Sequence, residues 1–210
     1  MKIVQLVKQL NNTELGKGGT HDTYMLIPND VDITDLFPNP NINIKFIYKK
    51  NGDEVVIRHT VGREKRIVGL GPFYSKHDVC AGDEVVLERR IVGEQITHLI
   101  DLRKKKNNVV FQRLKNGFEV LTPERLGMLS GELHTEESGL IEVIYLDEQK
   151  KRADSPDYTK IYDLKVNGNS IVKDYAAKEI IELEVWDNVV KIKRFCTWRK
   201  YIIEARDDNE

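Results

Sequence analysis

Cysteine is scarce in this sequence. Cys80 and Cys196 are the only two in 210 residues, and neither has a CxxC partner. That excludes a disulfide-stapled scaffold and fits two structural thiols in a reducing cytoplasm. Long apolar runs are also lacking. None approaches the roughly 20 residues that a membrane helix requires, and the N-terminus MKIVQLVKQL lacks the layout of a signal peptide. A cytoplasmic protein with no membrane partner is therefore expected. Histidines 21, 59, 77, 98 and 134 show no metal-ligand spacing with cysteines or acids. No HxK pair suggests a phospholipase-D-like nuclease, and there is neither an internal repeat nor a low-complexity tract. A strong excess of one charge is missing as well, the net charge being -1.

What is present is a folding composition, 40% hydrophobic and 32% charged, at a length that allows one large β domain or two small ones. The near-zero net charge conceals an asymmetry. Residues 1–106 hold 17 Lys/Arg against 14 Asp/Glu, and residues 107–210 hold 16 against 20. A nucleic-acid face needs local positive charge rather than a basic chain, and the first half is where such a face is permitted.

The first half reads as β structure, with short apolar runs at Tyr24–Ile27, Ile42–Tyr48, Val55–Ile57, Val85–Leu87 and Ile96–Ile100. Asn51-Gly52 between two such runs is a hairpin signal, and another turn is expected near Gly93. A short helix is expected from Asp30 to Phe37, stopped by Pro38 and Pro40, and a second one near Pro72 or Ser75. The polar, basic seam Arg103 to Asn108 is the candidate boundary. Beyond it, Asn116-Gly117 marks another hairpin, Thr122 is the expected N-cap of a helix running to Leu129, and Asp174 to Lys178 suits one helical turn. Strands are expected at Leu140–Leu146, Lys160–Val166, Ile180–Trp186 and, as a single run, Val189–Ile203. The fold class is thus mainly β, with two regions, 1–106 and 107–210, and a frayed tail from Arg206 to Glu210.

Two polar segments stand out against this scaffold. Lys17, Gly18, Gly19, Thr20, His21, Asp22 and Thr23 form a glycine-rich loop that runs into the strand Tyr24–Ile27. A phosphate-loop reading fails, because that motif needs Gly-Lys-Ser/Thr followed by a helix. The glycines instead let the backbone approach a phosphate or base edge, with Lys17, Thr20, His21 and Thr23 as donors. The second segment, Arg63, Glu64, Lys65 and Arg66, feeds the strand Ile67-Val68. Arg and Lys bond guanine O6 and N7, and Glu accepts from cytosine N4 in the major groove. A carboxylate among three cations adds nothing to a purely electrostatic patch, which is why Glu64 is informative. On composition alone, each segment is equally a mobile surface loop or a turn with local ion pairs.

Taken in order, NNTELGKGGTHDTYMLIP, the Asp-rich segment ending Leu36-Phe37-Pro38, and Arg63-Glu64-Lys65-Arg66-Ile67 resemble the DNA-recognition (effector) domain of EcoRII-type restriction endonucleases. The match covers roughly residues 11–100. The resemblance implies a seven-stranded pseudobarrel, shared with plant auxin-response-type DNA-binding domains, whose N-terminal and C-terminal arms grip the major groove like a wrench. Carried over, the N-arm is Lys17 to Thr23 and the C-arm Arg63 to Arg66. Lys17 and Asp22 depart from the family pattern, so the recognised site does not transfer.

The expected function is sequence-specific recognition of double-stranded DNA in a restriction-modification system, without a cofactor. Lys45, Lys49, Lys50, Arg103, Lys104, Lys105 and Lys106 would contact the DNA backbone, and a separate nuclease or ATPase subunit would act beside this chain. The competing expectation is a compact restriction endonuclease. Pro156-Asp157 followed by Asp163-Leu164-Lys165 mimics a nuclease pattern in which Asp157 and Asp163 hold Mg²⁺ and Lys165 polarises the phosphate. Five residues between the two Asp is a tight fit for converging carboxylates. The mixed stretch Lys191 to Tyr201 reads either as a further backbone contact or as an amphipathic strand with a solvated basic face.

Overall fold

A computed structural model of the chain describes residues 1–18, 21–150 and 158–204. In chain order the strands are β1 (Lys2–Gln9), β2 (Tyr24–Ile27), β3 (Asn43–Tyr48), β4 (Glu54–Thr60), β5 (Lys65–Val68), β6 (Glu84–Val92), β7 (Gln95–Arg103) and β8 (Asn108–Leu114). They continue as β9 (Gly117–Val120), β10 (Leu133–Thr135), β11 (Leu140–Lys150), β12 (Tyr158–Val166), β13 (Asn169–Ser170), β14 (Ile180–Trp186), β15 (Val189–Arg194) and β16 (Trp198–Glu204). One α-helix, α1, spans Gly71–Lys76, and a 3₁₀ helix spans Pro123–Leu129. Among the described residues no helix is long and apolar enough to cross a membrane.

The chain divides into two compact units. One is Met1–Lys104 together with Cys196–Glu210, and the other is Lys105–Phe195. The first unit holds one sheet in the order β16-β1-β6-β7-β3-β4-β5-β2. Residues from both ends of that order, Met25 and Ile27 of β2 and Trp198 of β16, pack on the same core as Phe46, Ile57, Leu87 and Ile100. A flat sheet cannot bring its two ends to one core, so this one curls into the expected pseudobarrel. Strand parity writes that core into the sequence. In β4, Val55, Ile57 and His59 point inward, while Glu54, Val56 and Arg58 point out.

The second unit closes completely. Its strands run β11-β10-β15-β14-β8-β9-β12, and β12 pairs back with β11. The result is a seven-stranded barrel filled by Val109, Phe111, Phe118, Leu133, Leu164, Ile181, Leu183 and Val190. Gly117 fits the tight β8–β9 hairpin for a steric reason, since a Cβ there would meet Tyr162 O and Ile161 Cγ2 at 2.8 Å. β12 crosses too close for any side chain.

Several sequence expectations change. Residues 30–37 do not form a helix. They make turns, with Phe37 N–H donating to Ile33 O at 2.9 Å, because Ile33, Leu36 and Phe37 are all drawn into the core. The Thr122 side chain does not cap the following 3₁₀ helix. Its Oγ1 accepts from Val110 N–H at 2.9 Å, satisfying a buried strand amide instead. The helical turn expected at Asp174–Lys178 lies at Val172–Asp174. The single run Val189–Ile203 breaks at Phe195–Thr197 into β15 and β16, which join different sheets. β16 therefore belongs to the first unit, unlike the expected division at 106/107. β1, the partner of β16, carries no turn signal and was not expected as a strand. Neither Cys80 nor Cys196 forms a disulfide, and Cys196 is exposed. The tail from Arg206 lies outside the described residues.

Candidate nucleic-acid interface

The N-arm grows from an unusually polar root. Asn11 N–H donates to Glu14 Oε2 (3.2 Å), while Glu14 N–H donates to Asn11 Oδ1 (3.0 Å). This reciprocal pair folds the chain back at the end of β1. The Glu14 carboxylate then turns inward, where Oε1 accepts from Leu26 N–H of β2 (2.9 Å) and meets Lys8 Nζ of β1 (3.0 Å). Both side chains are almost wholly buried, 3% and 2% exposed. Burial pushes the Glu14 carboxyl above its usual range and the Lys8 ammonium below its own, with their mutual attraction opposing both shifts. Trp198 lies 5.1 Å from the Lys8 nitrogen. One carboxylate thus ties β1, the arm and β2 together.

Above that root the arm is closed by a bridge between Leu15 and Thr23. Gly16 sits at φ +69°, and a Cβ there would lie 2.7 Å from His21 O. That close approach accounts for the glycine. Lys17, His21 and Asp22 are exposed on the loop, and Gly18 packs on Thr13. Gly19 and Thr20 lie outside the described residues. Lys17 Nζ reaches Val79 O at 3.5 Å, and Lys104 Nζ donates to the neighbouring Asp78 O.

The C-arm is the β4–β5 loop, whose last cross-strand pair is Thr60 with Arg66. Parity divides its residues. Lys65 pairs with Ile27 and shares the core side with Ile67, whereas Arg66 pairs with Leu26 on the outer face. There the Arg66 guanidinium lies 4.1 Å over the Tyr24 ring and donates through Nη2 to Glu64 Oε2 at 2.6 Å. The bond to Glu64 and the neighbouring Asp22 charge strengthen its protonated form. Arg63 at the tip is exposed and has no polar partner among the described residues. Thr60, Val61, Gly62, Arg63, Glu64 and Arg66 line a hollow of ≈ 400 Å³.

The relative placement of the arms follows from the β2–β5 register. Tyr24 pairs with Val68 and Ile27 with Lys65. The N-arm therefore enters at one end of this four-pair ladder and the C-arm at the other, about 10 Å apart at the usual rise per residue. The Tyr24–Arg66 stack is the floor between them.

No family model matches the chain, and no curated protein sequence does either. Solved structures do. The Arabidopsis FUS3-DNA complex is similar at 14% identity, covering 47% of this chain and 94% of that one, with a TM-score of 0.36. The N-terminal domain of Helicobacter pylori LlaJI.R1 is similar at 11% identity, covering 50% of this chain and 82% of that one, with a TM-score of 0.33.

The remaining candidate residues scatter. Lys45 pairs with Glu54 (2.9 Å), Lys49 with Glu88 (2.8 Å), Arg103 with Glu84 (3.6 Å) and Lys104 with Asp83 (3.2 Å). Glu84, Glu88 and Asp83 are buried, so their cations compensate charges that would otherwise be isolated in the protein. Lys50 is exposed without a polar partner among the described residues. In the second unit, the Lys105 carbonyl accepts from Arg125 Nη1 (2.7 Å). In the Lys191–Tyr201 stretch, Lys191 pairs with Glu136, Lys193 with Glu184, Arg194 with Glu179, Arg199 with Glu84 and Lys200 with Asp35. Its positive charge is spent within the protein. Of the nuclease triad, Asp157 lies outside the described residues. Asp163 accepts from Ser170 Oγ (2.6 Å), and Lys165 faces Glu142 across the β11–β12 ladder. No group of three His, Cys, Asp or Glu suited to a metal occurs among the described residues.

The first unit also contains three histidines packed on aromatic rings: His59 on Phe37, His98 on Phe46, and His77 between Tyr48 and Phe73. Both ring nitrogens of His59 are buried without a hydrogen-bond partner. Desolvation lowers all three below the usual histidine value of 6.5. The unfolded chain therefore binds more protons than the folded one just below pH 6.5. The stability of these neutral rings is complete above that pH and is lost as the pH falls through the folded values. Chemical denaturation from pH 7.5 down to 5 is expected to show falling stability of the first unit, and His59→Leu should flatten the slope. An unchanged slope in that variant would clear His59 of the effect.

Proposed function

We propose that the first unit is a sequence-specific reader of double-stranded DNA in a restriction-modification system, gripping the major groove between its two arms. The observation that carries this reading is the arm spacing. Two polar loops stand at the ends of a ladder about 10 Å long, a span of the same order as the major groove of B-DNA, about 12 Å wide. Arg63, exposed at the tip of the C-arm, is the residue assigned to a guanine edge. Arg66, stacked on Tyr24 and held by Glu64, presents charge from the floor. Lys17 supplies a phosphate contact from the N-arm. The restriction context rests on the resemblance of these segments to the EcoRII-type effector domain, with cleavage assigned to a separate subunit or domain and any associated nuclease or ATPase acting in trans.

Incubating the full chain with supercoiled plasmid and Mg²⁺ tests this division of labour. The plasmid is expected to stay intact. Robust cutting that disappears in Asp163→Ala would overturn the reader assignment in favour of the compact nuclease.

A further inference from the structure

The free edge of the first sheet is the feature that DNA reading leaves unused. β16 pairs with β1 on one side and ends the sheet on the other. Gln9 N–H donates to Thr197 O at 3.1 Å, and in an antiparallel ladder successive residues alternate between turning toward a neighbour and away from it. The odd-numbered residues of β16 therefore turn their amides to β1. Lys200, Ile202 and Glu204 present theirs outward.

The register of β16 with β1 runs from Lys2–Glu204 to Lys8–Trp198 without a bulge, and the strand contains no proline. Tyr201, Ile202 and Ile203 are 45%, 53% and 49% exposed, so apolar surface lies on both faces of the same strand. Proteins with exposed sheet edges blunt them with charges, prolines or bulges; β16 has charges at Arg199, Lys200 and Glu204 but neither of the other two devices, and Tyr201 to Ile203 leave apolar surface open to another strand.

We propose that β16 is a homodimer interface, in which two copies pair their β16 strands antiparallel about a twofold axis through Ile202. Facing residues in such a pair share a sheet face, so the axis must pass through a residue paired with its own copy. An axis at Lys200 would set lysine against lysine, which is unfavourable. An axis at Tyr201 would set Lys200 against Ile202 and Arg199 against Ile203. An axis at Ile202 sets Lys200 against Glu204, Tyr201 against Ile203, and Ile202 against itself. That register pairs opposite charges and joins aromatic and β-branched side chains, the combinations that stabilise cross-strand neighbours. It also matches the outward amides of Lys200, Ile202 and Glu204. Lys200 already donates to Asp35 Oδ2 at 2.9 Å and to Asp32 O at 2.8 Å, and its third ammonium hydrogen is left for a second carboxylate.

The test uses the full chain carrying Cys80→Ser and Cys196→Ser. Adding Ile202→Cys places two thiols at the twofold axis, with Cα atoms about 5.5 Å apart, inside the range of a disulfide. Mild oxidation is expected to give a covalent dimer. Lys200→Cys in the same background is expected to stay uncrosslinked, because its two copies lie about four residues, or roughly 13 Å, apart along the strands. By sedimentation the wild-type chain is expected to dimerise with rising concentration, and Ile202→Lys, on an exposed position, to remain monomeric. A chain that is monomeric at its highest soluble concentration, equal crosslinking at both cysteine positions, or a dimer indifferent to Ile202→Lys would each overturn the proposal.

Discussion

Replacing Glu14 with leucine is expected to lower the stability of the first unit by about 3–5 kcal/mol, the usual cost of stranding one member of a buried ion pair. Lys8 would be left without its carboxylate, almost wholly buried against Trp198. The amides of Leu26 and Asn11 would lose their acceptor at the same time. The double substitution Lys8→Met with Glu14→Leu is expected to recover most of the loss, because an apolar pair of similar volume often matches a buried ion pair. Recovery should be incomplete, since the Leu26 amide still lacks an acceptor. Urea unfolding followed by Trp198 fluorescence in a Trp186→Phe background reads the first unit selectively. If Glu14→Leu proved as stable as the parent, the anchoring role of Glu14 at the arm root would be wrong.

Arg63→Ala is expected to remove discrimination at one base position, by about 1–3 kcal/mol or roughly 5–150-fold, while leaving the fold intact. The expectation follows from its exposure at the arm tip without an internal partner. Lys17→Ala should behave differently. It should weaken all duplexes alike and reduce the slope of log K against log salt by about 0.9. Competition binding with single-base variants of the preferred duplex separates the two patterns. An Arg63→Ala protein that still ranks those variants as the parent does would remove Arg63 from the base-reading role.

The two polar loops were legible in the sequence as loops leading into strands, because glycine, charge and strand context are local signals. The Asn51-Gly52 hairpin was legible for the same reason. What stayed hidden depends on pairing between distant segments. Nothing local tells Trp198–Glu204 that its partner is Lys2–Gln9, so the return of β16 to the first sheet and the closing of the second barrel by β11 and β12 emerge only in three dimensions. The Lys8–Glu14 pair left a trace. Val4, Leu6 and Lys8 share one parity of β1, so an alternation reading places a lysine on the buried face, and a buried lysine demands a nearby carboxylate. The charge cluster Arg63 to Arg66 was legible as a composition but not as a geometry. Only the β2–β5 register sends Arg66 to the Tyr24 floor and Lys65 to the opposite side. The same limit applies to lysines 45, 49 and 104, whose carboxylate partners lie 9, 39 and 21 residues away in sequence.

Selection of bound duplexes from a random pool tests the central claim most directly. The arm spacing and the free Arg63 predict enrichment of one short motif by the full chain, with the preference at one position lost in Arg63→Ala. A pool that shows no enriched motif, or an enriched motif indifferent to both Arg63→Ala and Lys17→Ala, would contradict the account.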